Sequence, residues 1–194
     1  MLIKNKTAFT LSEVLITLTI IGLVASMTIP SMFQKASEDE FRVAFKKNVS
    51  RLSQAAYSNY AMVGINFSRI EKSNNNTASG AHSLGSILKN RTNVISTDSS
   101  DAKWDDNIKK FINTTFVFAD NSMIGFNPSD IYRCYSLGDC TVYVDVNGTR
   151  PPNKLSEKTA KNDKKVFADQ FKIYIYGNNA APADEAARYA LYGN

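Results

Sequence analysis

Glu13 poses the first chemical question in this 194-residue chain. It is the only charged residue between Phe9 and Ile29, and it follows a short lead carrying Lys4 and Lys6. A carboxylate well inside a bilayer costs roughly 3 kcal/mol even on lenient insertion scales, so such a residue needs a partner. Other reactive residue types are sparse. His82 is the single histidine and lies in a Ser/Gly/Asn-rich stretch, which reads as a surface loop. Cys134 and Cys140 bracket Tyr-Ser-Leu-Gly-Asp. Their spacing is not that of a Cys-x-x-Cys redox pair, and no second thiol pair or nearby histidine completes a zinc site. A structural disulfide is therefore favoured over free thiols, and closing so short a loop stabilises by roughly 2 kcal/mol on the chain-entropy estimate. No Ser/His/Asp set, paired catalytic acids, phosphate-cradling glycine loop or cofactor fingerprint is present, so the chain does not read as an enzyme.

These residues sit in two kinds of sequence. From Val14 to Ile29 there is no charge, and the stretch from Phe9 is about long enough to span a membrane. An ordinary secretory signal would place small residues at the far end of its apolar core, and Ala25-Ser26-Met27 is a poor version of that. The remaining length leaves room for one modest domain. The net charge of +5 includes Lys4 and Lys6, and the about +3 that remains without them is too mild to mark a nucleic-acid binder.

The run Lys4-Asn5-Lys6-Thr7-Ala8-Phe9-Thr10-Leu11-Ser12-Glu13, continuing through Val14-Leu15-Ile16 and closing at Pro30, resembles the processing and assembly segment of type IV pilins and of the pseudopilins of type II secretion. The resemblance implies cleavage between Ala8 and Phe9 by a prepilin peptidase, N-methylation of Phe9, and an assembly role for Glu13, which meets the Phe9 amine of a neighbouring subunit. Ala8 stands where glycine is usual, and Ser12 where an apolar residue is commoner. The implied function is a structural subunit, of a minor kind, in a type IV pilus or a type II secretion pseudopilus. The implied location is the bacterial inner membrane, with a single pass and the head in the periplasm or outside, and later the fibre. The implied partners are the prepilin peptidase, other pilin or pseudopilin subunits, an inner-membrane assembly platform and membrane lipid. Nucleic acid is not expected. The alternative is a membrane-anchored ligand-binding or DNA-uptake protein of pilin-like build.

The expected fold is α+β and pilin-like. A leader at 1–8 precedes a transmembrane and assembly helix at 9–30, an amphipathic helical stem at 31–66 and a globular head at 67–194. The stem stripe is Phe41, Phe45, Val49, Leu52, Ala56, Tyr60 and Val63, at steps of three and four. A helix from Phe9 to Val63 would extend about 82 Å, with a bend or local melting at Pro30. The polar stretch from Ser68 to Ser100 reads as an irregular connection with a short turn at Leu84 to Leu88. Asp101 is a candidate cap for a helix over Trp104 to Ile112. Thr115 to Ala119, Met123 to Phe126, Thr141 to Val146 and Phe171 to Tyr176 make an antiparallel sheet of about four strands, the first two forming a hairpin around Asp120-Asn121-Ser122. A short helix follows Pro182-Ala183-Asp184-Glu185.

Three weaker constellations remain. Asp145-Val146-Asn147-Gly148, Pro152-Asn153 and Asp169-Gln170-Phe171 resemble a pattern in the heads of many pilin-like proteins. Oxygens of Asp145, Asn147 and Asp169 could hold a hard cation such as calcium, the one cofactor the sequence suggests. The favoured alternative is a turn at Asn147-Gly148 with Asp169 capping or pairing locally. Lys154, Lys158, Lys161, Lys164 and Lys165 could contact phosphates, but Glu157, Asp163 and Asp169 dilute that charge. Lys46, Lys47 and Arg51 read as a solvated helix face.

Overall fold

The computed structural model describes residues 9–72, 82–97, 102–158, 165–166 and 168–193. The leader, Ala8, Asp101, Lys161 and Lys164 lie outside them. Two units divide the chain, Met1–Asp39 and Glu40–Asn194. A single helix, α1 (Leu11–Val63), runs through the boundary. The backbone stays helical through Pro30, so the local melting expected there does not occur.

In the first unit the helix starts on a capping box absent from the sequence reading. Glu13 Oε2 accepts the Thr10 N–H at 2.8 Å and the Thr10 hydroxyl at 2.9 Å, while Thr10 Oγ1 accepts the Glu13 N–H at 3.2 Å. The large apolar side chains from Leu11 to Ile29 are all exposed. Four hydroxyls among them are satisfied within the helix: those of Thr17, Thr19, Ser26 and Thr28 donate to the carbonyls of Val14, Leu15, Leu23 and Val24. That is what an apolar solvent demands of a spanning helix.

In the second unit the rest of α1 buries Phe45, Leu52, Ala55 and Ala56 against a sheet. Asn48 and Asn59 share this buried face, which a purely apolar template misses, whereas Tyr60 and Val63, expected on it, are exposed. Asn48 fits because Nδ2 donates to Ala44 O and Oδ1 accepts from Arg51 and Ser122. Asn59 likewise donates to Ile65 O and accepts from Arg91. Buried polar groups are tolerated when both ends of the amide are used.

The sheet has six strands rather than four. In chain order the strands are β1 (Val94–Ser96), β2 (Thr114–Phe118), β3 (Met123–Phe126), β4 (Cys140–Asp145), β5 (Glu157–Lys158), β6 (Lys165–Val166), β7 (Gln170–Tyr176) and β8 (Asn179–Pro182). The large sheet runs β1-β2-β3-β4-β7-β8, antiparallel throughout, and β5 pairs with β6 separately. The four expected strands are its centre. The two additions are edges, where pairing with a well-formed neighbour replaces intrinsic propensity: β8 reads Asn-Ala-Ala-Pro, and Pro182 is tolerated there because an edge residue can lack a ladder donor. On β7, Phe171, Ile173 and Ile175 enter the core and Phe171 stacks on Phe45 with centroids 4.2 Å apart.

The other sheet face is covered by a second cluster of Trp104, Ile108, Met123 and Tyr143. Trp104 Nε1 donates to Thr115 Oγ1 at 3.0 Å, so the tryptophan is a core residue. The helix expected over Trp104 to Ile112 is shorter, α3 (Asp106–Lys109), because Asp105 rather than Asp101 supplies the cap, accepting from Asn107 N. Conversely the turn near Leu84 is a full helix, α2 (Leu84–Arg91), capped by Ser83 and carrying buried Leu84, Ile87 and Leu88. The last helix, α4 (Glu185–Tyr192), is capped by Asp184 and ends at Gly193 in the left-handed conformation.

This packing sets opposite expectations for two α1 aromatics. Phe45→Ala should destabilise the head by about 3–5 kcal/mol, while Tyr57→Ala, at a side chain 68% exposed, should stay within about 0.5 kcal/mol. Denaturant melts of the detergent-solubilised chain measure both, and equal effects would contradict the assigned face.

Candidate functional site

At the N-terminal end the geometry concentrates on Phe9, Thr10 and Glu13. Phe9 is exposed and precedes the first helical turn. Both bonds from Thr10 fall on Oε2 of Glu13, and Oε1 carries none among the described residues. The carboxylate is therefore held at the helix start, with one oxygen outward and the positive end of the helix dipole beside it. Leu11–Ile29 forms 19 residues of mean hydropathy 1.9, none of them buried, long and apolar enough to cross a membrane.

Residues 3–29 match the family described as the prokaryotic N-terminal methylation motif. The chain carries a prepilin-type methylation segment. That match agrees with the type IV pilin and pseudopilin resemblance and ends where the apolar run ends. No curated protein and no solved structure matches the chain.

In the head, Cys134 and Cys140 form a disulfide with both residues fully buried. Gly138, inside the loop, has φ 102°, a conformation that favours glycine. The bridge holds the start of β4 against the chain before it.

Asp145, Asn147 and Asp169 are brought together by adjacent strands, with Val146 N donating to Asp169 O at 2.9 Å. Their carboxylates are used as clamps. Asp145 Oδ1 accepts from Asn147 N at 3.1 Å and Gly148 N at 2.7 Å, and Oδ2 accepts from Gln170 Nε2 at 2.8 Å. Asp169 accepts from Asn153 N at 2.8 Å and Lys154 N at 2.9 Å. Each carboxylate oxygen thus faces an N–H hydrogen where a cation would sit. Among the described residues no group of three or more His, Cys, Asp or Glu could hold a metal. Among the described residues the buried side-chain oxygens without a partner are amide ones, Oδ1 of Asn147 and Asn153 beside the clamp and of Asn178 elsewhere. Gln170 extends the clamp by accepting from Asp105 N and donating to Lys103 O. Glycine is required at 148, where φ is 73° and a Cβ would come within 2.3 Å of Asn121 O.

Of the lysine strip, Lys161 and Lys164 lie outside the described residues. Lys154 is exposed, and Lys158 and Lys165 are backbone partners in the β5–β6 pair. Arg51, by contrast, is not merely part of a solvated face. Its guanidinium bonds Asn48, Ser122 and Asp120 and lies over the Phe118 ring, tying α1 to the β2–β3 hairpin. Lys47 also reaches Asp120, at 2.7 Å. Burial works to raise the Asp120 carboxyl, but Lys47, Arg51 and the Ser122 hydroxyl outweigh it and hold it below the usual range.

Asp145 moves the other way. Burial pushes its carboxyl up to about 7 against the donors of Gln170, Gly148 and Asn147, and the Asp169 charge adds to the rise. A folded-state value raised above the unfolded one means that the native state holds the extra proton. Stability from this group is complete below about pH 4 and is lost as the pH rises through about 7. The detergent-solubilised chain should therefore melt at lower denaturant at pH 8 than at pH 5, and Asp145→Asn should flatten that slope. A wild-type midpoint independent of pH over this window would contradict the assignment.

Proposed function

We propose that the chain is a pilin-like structural subunit, of a minor kind, in a type IV pilus or a type II secretion pseudopilus. The observation that carries this reading is a coincidence: the residues matching the methylation motif include an apolar helix in which the Thr17, Thr19, Ser26 and Thr28 hydroxyls are satisfied internally and the large apolar side chains are left uncovered. In this reading a prepilin peptidase cuts between Ala8 and Phe9 on the cytoplasmic side of the inner membrane and methylates Phe9. The helix then sits in lipid until an assembly platform transfers it into a fibre, with the head in the periplasm or outside.

Glu13 supplies register in this scheme. Its free Oε1 accepts the Phe9 amine of a neighbouring subunit, while Thr10 keeps the carboxylate aimed. Desolvated ion pairs gain little net energy, because attraction is offset by dehydration, so the pair selects one stagger rather than providing the cohesion. Close packing of Leu11, Val14, Leu15, Leu18 and Ile21 against equivalent helices provides that.

Two outcomes follow. Mass spectrometry of protein from native cells should find a chain that begins at N-methylated Phe9, and one starting at Met1 or beyond Ser26 would contradict the reading. Glu13→Ala should leave membrane insertion intact and reduce incorporation into sheared fibres at least tenfold, whereas normal incorporation would remove the role given to the carboxylate.

A further inference from the structure

Asn147-Gly148 is the one Asn-Gly pair in the sequence. With no side chain on Gly148, little hinders its nitrogen from reaching the side-chain carbon of Asn147, so such a pair loses its amide readily in an unfolded chain. The chemistry needs no partner but water. Gly148 N gives up its proton and bonds to Asn147 Cγ, and ammonia leaves with that proton. Water then opens the cyclic imide at either carbonyl, giving aspartate or isoaspartate. The fold cannot dispense with the glycine, because its φ of 73° and its closeness to Asn121 O leave no place for a Cβ.

Three features of the native turn oppose that reaction. The attacking nitrogen is occupied: Gly148 is buried and its N–H donates to Asp145 Oδ1 at 2.7 Å. A carboxylate against this N–H also disfavours the amide anion, since two negative charges would then sit side by side. The target is tethered as well. Asn147 Nδ2 donates to Pro151 O at 3.1 Å, Asn147 N donates to Asp145 Oδ1 at 3.1 Å, and Asn147 O accepts from Asn121 Nδ2 at 3.1 Å. Finally, attack at Cγ places negative charge on Oδ1, and among the described residues that oxygen is buried with no hydrogen-bond partner. A developing oxyanion is stabilised by donors aimed at it, and this turn aims none of its described donors there.

We propose that Asn147 is a self-modification site which the native fold holds off: the amide survives while Asp145 grips the turn, and each opening of that turn exposes it to attack by Gly148 N. The product does not fit the turn it comes from. Converting Nδ2 to a carboxylate oxygen removes the donor to Pro151 O and sets a third acid beside Asp145 and Asp169. Isoaspartate in addition lengthens the backbone where Gly148 already lies against Asn121. Conversion is therefore one-way, and a modified chain is a record of past opening at this end of β4 and β7.

The test is peptide mapping by mass spectrometry of the full chain in detergent micelles, aged at pH 8 either folded or in urea at the same temperature. Asn147 should convert at least about 100-fold faster in the unfolded chain, because the folded one reacts only through its rare open forms. Hydrogen exchange at the Gly148 amide should show protection within about tenfold of that factor, as both reactions wait for the same opening. Folded Asp145→Ala, verified by near-ultraviolet circular dichroism, should lose about tenfold or more of the protection, and Asn147→Asp should unfold at lower urea than wild type. Should Asp145→Ala fail to fold, the exchange measurement on wild type decides in its place. The proposal is overturned by equal conversion in folded and unfolded chains, by a freely exchanging Gly148 amide, by a folded Asp145→Ala as protected as wild type, or by an Asn147→Asp midpoint no lower than that of wild type.

Discussion

Uncovered apolar surface on Leu11–Ile29 is the constraint from which the functional reading follows. Eleven large apolar side chains there are at least 43% exposed. At roughly 1.5–3 kcal/mol for each side chain removed from water, their burial outweighs the roughly 3 kcal/mol cost of one carboxylate in a bilayer several-fold. The helix therefore leaves water whatever Glu13 prefers. Lipid and neighbouring helices, however, cover apolar surface about equally well, so moving from membrane to fibre gains little hydrophobic energy. What can distinguish the two states is close packing and the fate of the single charge. In the proposed reading, this gives Glu13 weight out of proportion to its own energy.

The head is organised by burial instead, with polar side chains used as clamps between its elements. Arg51 joins α1 to the β2–β3 hairpin through Asn48, Ser122 and Asp120, and Asp145, Gln170 and Asp169 fasten the loops at one end of β4 and β7. The disulfide holds the other end of β4. Fixed at both ends, the sheet presents its loops in one arrangement, so residues such as Tyr132 and Tyr135 can be exposed without softening the fold. The raised carboxyl of Asp145 shows that this fastening has a cost: an acid buried for its geometry loses solvation for its charge.

Much of this was legible in the sequence, and the misses have physical causes. The central strands were readable because Phe171, Ile173 and Ile175 alternate with Lys172, Tyr174 and Tyr176, and a period of two reports a half-buried strand directly. The edge strands were not, since Val94–Ser96 lies in a polar stretch and Asn179–Pro182 has little β-preference of its own; each is made by its neighbour. The stem stripe drifted at its end because an apolar template accepted Tyr60 and Val63 and rejected Asn48 and Asn59, whose burial rests on partners far along the chain. The segment at Glu13 was recognised, yet the Thr-x-x-Glu spacing of a capping box was there to be read and gives the acid a local role the unpaired-charge argument omitted. The sequence offers a cation site at Asp145, Asn147 and Asp169 or a turn at Asn147-Gly148 with Asp169 capping locally, and the clamp made by Asp145 is in neither alternative.

The most direct test of the central claim asks what covers the apolar helix. A photoreactive residue placed at Ile16 or Leu18 in native cells reports its neighbours by covalent capture. The account predicts lipid adducts in cells lacking the assembly machinery and, in cells that assemble fibres, adducts to the corresponding helix of another pilin-like chain. Lipid adducts alone in assembling cells, or capture of neither, would contradict it.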